Sequence, residues 1–352
     1  MSSFSNHALV QLTLLRMREF IREPEALFWA MVFPIALAAG LGIAFRNRPP
    51  EILKVAAVTP RLAEALRQEK LLDVTQLPPQ LAEQWVRTGK VALVAEPAAD
   101  GSPNGSPNGS IVYRYDDTNP EGRQARMLAD QAVQRASGRQ DPVPGNDQIM
   151  REAGSRYIDF LIPGLIGMGI MGNSMWGLGF SIVDARRKKL MKRIVATPMP
   201  KPYYLLSFLV WRMIFLPVEV GVPLAFGVWV FGVPMRGSLV ALVEACVLAT
   251  LAFSAAGLLL ASRVRTIEAV SGLMNLTMVP MWVLSGVFFS SQRFPDIVQP
   301  LIKALPLTAL IDALRANMLQ GAGLAQMAPQ AGVLAAWLVV CFGLALRLFR
   351  WR

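Results

Sequence analysis

The chain has 352 residues, 53% of them hydrophobic and only 17% charged, with a net charge of +11 and a single histidine, His7. Soluble domains carry about 25% charged residues, so an ordinary soluble domain is excluded, and one histidine leaves no room for a histidine metal cluster or a Ser-His triad. The positive excess sits beside apolar runs, where topology explains it without nucleic acid. Those runs are about 20 residues long, enough to cross a bilayer. They predict a polytopic α-helical membrane protein with six transmembrane helices and an inserted small α/β extracytoplasmic domain. Cys246 and Cys341 both fall in apolar runs and read as small core residues, not as a disulfide or metal pair. No phosphate-binding loop is present, since Gly89-Lys90 is followed by Val91 and lacks the upstream glycine. No catalytic residue, metal site or cofactor is therefore expected in this chain.

Residues 1–25 predict a cytoplasmic amphipathic helix. Within 5–23, Val10, Leu14, Met17 and Ile21 recur at spacings of four, three and four, and Pro24 ends the run. The stripe suits the inner membrane interface, with Arg16, Arg18 and Arg22 near lipid phosphates. A plain cytoplasmic extension of the first span is the alternative. Residues 26–45 form that span. Its apolar run of 20 residues, preceded by 25 others, exceeds the roughly 7–15 of a signal peptide, so it reads as an uncleaved anchor.

Residues 46–156 change character, with 15 basic and 14 acidic residues. Long loops escape the positive-inside rule, so this charge is compatible with an external location. Leu53–Val58, Val91–Ala95 and Ile111–Tyr115 read as strands, and 60–70, 79–88 and 120–136 as helices, an alternation that favours a small α/β module. The Gly-Ser-Pro-Asn repeat at 101–110 reads as a loop.

Residues 157–352 predict a five-helix membrane domain with spans at 158–183, 204–231, 238–262, 269–291 and 330–346. The first of these carries six glycines, with Asn173 and Ser174 mid-span. Small residues of this kind serve helix packing within one subunit, a subunit interface or a substrate path equally. Between the second and third spans lies a basic loop, 184–203, with seven Lys or Arg. Translocating so many cations is unfavourable, so this loop fixes the inside. Asp184 is placed to cap a short helix over 185–196, with Leu190, Met191, Ile194 and Val195 on one face and Arg186, Lys189 and Arg193 on another. Fifteen Lys or Arg fall in the segments so placed inside and four in the two shorter external ones, which puts both termini in the cytoplasm. Residues 293–328 are placed outside.

The third span holds Arg212 and Glu219 and the fourth holds Glu244. Seven residues put Arg212 and Glu219 about 10 Å apart along the axis, a separation that predicts no direct ion pair, with Arg212 snorkelling inward. A charged Glu219 at mid-span costs about 2.5–3.5 kcal/mol, so it is expected to be protonated, paired or facing water. It is either a structural hydrogen-bonding group or part of a translocation path with Asn173 and Glu244.

With these residues placed, the chain resembles the permease subunits of type-2 ATP-binding cassette exporters, in the multidrug-export-like arrangement of one span, an external domain and five more spans. The resemblance rests on Asp116-Asp-Thr-Asn-Pro, Phe160-Leu-Ile-Pro-Gly-Leu-Ile-Gly, Ala196-Thr-Pro-Met, Pro280-Met-Trp-Val-Leu-Ser-Gly-Val-Phe-Phe and Leu305-Pro-Leu-Thr-Ala-Leu-Ile-Asp, in that order. Many relatives carry Glu-Arg-Glu-x-Gly-Thr after the second span, where this chain has Asp184-Ala-Arg-Arg-Lys-Lys-Leu. The resemblance implies a bacterial inner-membrane exporter of amphipathic or drug-like compounds, a second permease as homodimer or paralogous heterodimer partner, and a separate cytoplasmic ATPase that holds ATP and Mg. Arg186, Arg187, Lys189, Leu190, Arg193, Ile194, Thr197 and Pro198 are then the coupling residues, and 293–320 a re-entrant helical hairpin. An ion-gradient-driven secondary transporter using Glu219, and a receptor with an external ligand-binding module, are the alternatives.

Overall fold

The computed structural model describes residues 7–46, 52–98, 110–139, 154, 156–197, 199–200 and 202–348. The repeat at 101–109 and the residues Pro198, Lys201, Arg350 and Arg352 lie outside them. The chain divides into two compact units, Arg48–Met150 and the remainder.

The smaller unit is a four-stranded sheet of β1 (Leu53–Ala57), β2 (Leu72–Gln76), β3 (Leu93–Pro97) and β4 (Ile111–Tyr115), in the order β2-β1-β3-β4. β1 runs parallel to β2 and β3, and β4 is antiparallel to β3. Its helices are Pro60–Arg67, Pro79–Arg87 and Pro120–Ala136. Each begins on a proline, whose missing N–H is no loss in a first turn. Thr59 and Asn119 cap two of them, accepting from Leu62 N at 3.4 Å and Glu121 N at 3.0 Å. Alternation sorts the side chains. Val55, Ala57, Leu93 and Ala95 pack with Leu66, Ala125 and Ala129 on one face, and Ala56 and Val94 with Ala82 and Trp85 on the other. The strand β2 is absent from the sequence reading. It is an edge strand that buries Leu72 and leaves its second half exposed, so Leu-Asp-Val-Thr-Gln carries little hydrophobic pattern.

In the larger unit, α1 is Ala8–Arg22. The first span runs from Pro24–Leu27 through a π-helical turn, Phe28–Val32, into α2 (Phe33–Arg46). The further helices are α3 (Tyr157–Arg187), α4 (Leu190–Ala196), α5 (Pro202–Phe231), α6 (Leu239–Ala261), α7 (Ile267–Leu284), α8 (Gln299–Ala304), α9 (Pro306–Gln320) and α10 (Ala328–Leu348). Among the described residues, six helices are long and apolar enough to cross a membrane. The chain is thus a polytopic helical membrane protein with an inserted domain.

α3 is the hub, with 78% of its apolar window buried against 22% for α7 and 17% for α10. Its glycines make that possible. A Cβ on Gly164 would stand 2.6 Å from the Val287 carbonyl oxygen, and one on Gly167 2.9 Å from Ile311. Gly177 faces open space instead. At the N-terminal end of α3, Arg156 donates to Asp159 and to the carbonyls of Phe231 (2.8 Å) and Gly232 (2.9 Å), tying α3 to α5. Its hydrogen bond to Asp159 holds the Arg156 guanidinium above its usual pKa.

The fifth span stops at Leu284, short of the expected 291. Gly286 takes a left-handed φ of 78°, which ends the helix as a glycine permits. Two 3-10 turns follow, and the segment from Asp296 to Gln320 then bends by 85° where Pro306 begins α9.

Candidate functional site

The polar residues of the third span do not stand apart. Arg212 and Glu219 are 5% and 4% exposed, and Arg212 Nη2 donates to Glu219 Oε2 at 2.6 Å and to Ser174 Oγ at 3.0 Å. The expectation of no ion pair and an inward-snorkelling arginine is corrected. Cα separation along the axis is a poor guide when both side chains are long. In a medium without water, each charge gains more by bending toward the other than by remaining unpaired. Asn173 Nδ2 donates to the second carboxylate oxygen, Glu219 Oε1. Glu219 is therefore paired on both oxygens, and the cluster bridges α3 and α5. Ser174, which the expected path of Asn173, Glu219 and Glu244 does not include, completes it. Glu244 is exposed on α6, and among the described residues no hydrogen bond joins it to the cluster. The half-buried Asn173 lies on a strip of α3 with Gly169, Gly172, Trp176 and Gly177 that its neighbours leave partly open.

The basic loop is built differently from the expected capped helix over 185–196. α3 continues to Arg187, because Ile182, Val183 and Ala185 remain buried and keep the apolar face going. Asp184 does not cap a new helix. It sits in the last turn and pairs with Lys188 at 2.7 Å and Arg187 at 3.6 Å. Lys189 then takes a left-handed φ of 57°, and α4 starts at Leu190. Leu190 is 40% exposed while its neighbour Met191 is 2% exposed, so these two do not share one face as expected. Arg187, Lys189, Arg193 and Thr197 are exposed. The backbone of Ile194 belongs to α4, but its side chain and Pro198 lie outside the described residues. Arg186 turns inward instead of outward and hydrogen-bonds to carbonyls at the end of α6.

In the N-terminal helix, Val10, Leu14 and Met17 of the expected stripe are half-buried, but the packed face also takes in polar and aromatic residues. Thr13 is its buried residue. Arg16 lies over the Phe208 ring at 4.1 Å and near Tyr204 at 5.4 Å, and it pairs with Glu19 at 2.7 Å. Phe20 meets Phe215 edge-on at 4.6 Å. Ile21, placed on the expected apolar stripe, is 57% exposed, and Arg18 and Arg22 are exposed beside it. Aromatic rings on α5 attract a cation as well as an apolar group, so periodicity of apolar residues alone missed Arg16.

Comparison with known proteins adds the family. Residues 24–347 match the family model described as ABC-2 family transporter protein. The chain is similar to the inner membrane transport permease YadH of Escherichia coli, 27% identical over 202 residues, which are 55% of this chain and 77% of that protein. It is also similar to the inner membrane transport permease YhhJ of Escherichia coli, 25% identical over 174 residues, 49% of this chain and 46% of that protein. The linearmycin resistance permease protein LnrN of Bacillus subtilis is 25% identical over 183 residues, 50% of this chain and 46% of that protein.

Proposed function

Since this chain belongs to the ABC-2 transporter family and is a transmembrane transport permease, we propose that it is the membrane half of an ATP-driven exporter whose ATPase is a separate cytoplasmic chain. The observation that carries this reading is the elbow between α3 and α4. The most buried span of the unit leads into a short helix that exposes Leu190 and Arg193, with exposed Arg187 and Lys189 before it and Thr197 just after it. An element anchored so deeply, with an exposed cationic and apolar tip, suits transmission of force from a docked partner to the bundle. Ile194 and Pro198 extend the same docking segment, and Arg186 holds its root. ATP and Mg bind on the partner.

In this reading the elbow and both termini face the cytoplasm of a bacterium, residues 46–156 lie outside the inner membrane, and Arg18 and Arg22 meet lipid phosphates. A second permease, identical or paralogous, covers part of the apolar surface that α7 and α10 leave open. Asn173 and Glu219 border the path. With Arg212 neutralising Glu219, the path offers dipoles in place of a bare carboxylate, which suits an amphipathic compound better than a simple cation. Glu244 has the weaker claim, being outside the cluster. The word resistance in the name of one relative supports export as the direction.

Leu190→Asp tests the docking. It keeps every basic residue, so orientation survives, while substrate-stimulated hydrolysis by the co-purified ATPase is lost. Unchanged stimulation would mean that the cations only fix topology and bind anionic lipid, worth about 1 kcal/mol each.

A further inference from the structure

At the inner end assigned to the membrane unit, Arg186 reaches from the last turn of α3 to the end of α6. Its Nη1 donates to the carbonyls of Ala261 (2.5 Å) and Val264 (3.0 Å), and its Nη2 to that of Ser262 (2.9 Å). A helix C-terminus leaves such carbonyls without intrahelical partners, and its dipole favours a cation there. The turn so held runs directly into α7, whose first turn is capped by Thr266.

Along its length α7 meets α3 softly. Met274 occupies the notch at Gly179, where a Cβ would collide with its Cε, and Met278 Cε lies 3.8 Å from the Cβ position of Gly172. Methionine is unbranched and flexible, so such a seam re-forms after a small shift. At the other end the contact is hard. Gly164 packs on the Val287 backbone, just beyond α7, with no room for a side chain. Arg315 closes the same corner, its Nη2 donating to the carbonyls of Phe160 (3.0 Å) and Gly286 (2.6 Å).

We propose that Arg186 is a positioning residue that yokes the basic elbow to α7, so that displacement of α4 by the ATPase tilts α7 about the Gly164–Val287 corner. The proposal rests on the coupling reading above and names the route by which the docked segment acts. A firm grip at one end, a yielding seam along the length and a backbone pivot at the other end make a lever. Only Lys188 and Lys189 separate α4 from α3, so a force on α4 passes directly into the last turn of α3, which carries Arg186. The planar fork of a guanidinium serves three carbonyls that diverge around it, whereas an ammonium presents its donors from one point.

The test uses the full chain in lipid nanodiscs with Cys246→Ala and Cys341→Ala. Spin labels at Arg193→Cys and Glu268→Cys report the distance between α4 and the start of α7. Arg186→Gln broadens that distance distribution about twofold, since the turn then loses the hydrogen bonds that tie it to α3. Arg186→Lys gives an intermediate width and decides the matter should Arg186→Gln fail to insert. Arg263→Gln, which removes an exposed cation from the same turn, leaves the width unchanged. A distribution as narrow in Arg186→Gln and Arg186→Lys as in the parent, or equal broadening in Arg263→Gln, overturns the yoke. In a second arm, substrate-stimulated hydrolysis by the co-purified ATPase falls about tenfold in Arg186→Gln, and full stimulation overturns the proposal. Should no ATPase co-purify even with the parent chain, the proposed function fails while the label distances still judge the grip.

Discussion

Arg212 and Glu219 illustrate what burial does to a charged pair. Each is nearly inaccessible, and each neutralises the other. Removing one partner from a buried pair costs about 3–5 kcal/mol, because the survivor is left charged in a poor solvent. Glu219→Gln and Arg212→Met are each expected to destabilise the detergent-solubilised protein by about that amount. The double variant should recover most of the loss, as thermal unfolding of all four forms would reveal. Strictly additive losses would show that the two side chains do not act as a pair. Tyr113 offers a second residue-level check, outside the membrane helices. Burial first, and then the Asp130 carboxylate beside it, push its phenol up to about 12. The folded pKa is raised, so this contribution to stability is complete below the ordinary value of about 10 and is lost as pH rises through about 12. Tyrosinate absorbance should contain a late step that Tyr113→Phe removes.

At the level of the helices, glycine position decides which substitutions are tolerated. Gly164 meets the Val287 backbone, which cannot step aside as a side-chain end can, whereas Gly177 faces open space. Gly164→Ala should therefore destabilise the bundle, by about 1–3 kcal/mol as over-packing does. Gly177→Ala should be neutral or slightly stabilising, since alanine is the better helix former. Equal melting temperatures for the two variants would contradict the packing described. The same element, α3, settles how the second-span glycines are divided: Gly164, Gly167 and Gly179 serve contacts within the subunit, while Gly169, Gly172 and Gly177 line the more open strip. All six look alike in the sequence, because a glycine gives no sign of which neighbour approaches it.

For the whole molecule, the expected orientation makes a direct prediction. A reporter active only in the cytoplasm should work when fused after Lys201 or Arg352 and fail within 101–110. Activity within that loop would invert the topology. The smaller unit has its own sheet, two covered faces and its own cluster of buried residues. Residues 50–150 alone should accordingly give a mixed α/β circular dichroism spectrum, and deletion of 102–109 should leave it unchanged. A random-coil spectrum would show that the unit needs the rest of the chain to fold.

Membrane class, six apolar spans and an inserted α/β unit were all legible from the chain, because length and hydropathy of a segment are local properties that a bilayer reads directly. The motifs from Phe160 to Leu305 likewise pointed to the family that the comparison found. Pairing was not legible in the same way. The edge strand β2, the inward turn of Arg186, the seat of Arg16 over Phe208 and the closure of Arg212 on Glu219 each depend on what lies opposite. Sequence spacing places a side chain on its own helix. Which carbonyl, ring or carboxylate satisfies a cation there is decided only when helices distant in the chain pack together and exclude water, so that each buried charge takes the nearest partner the tertiary structure supplies.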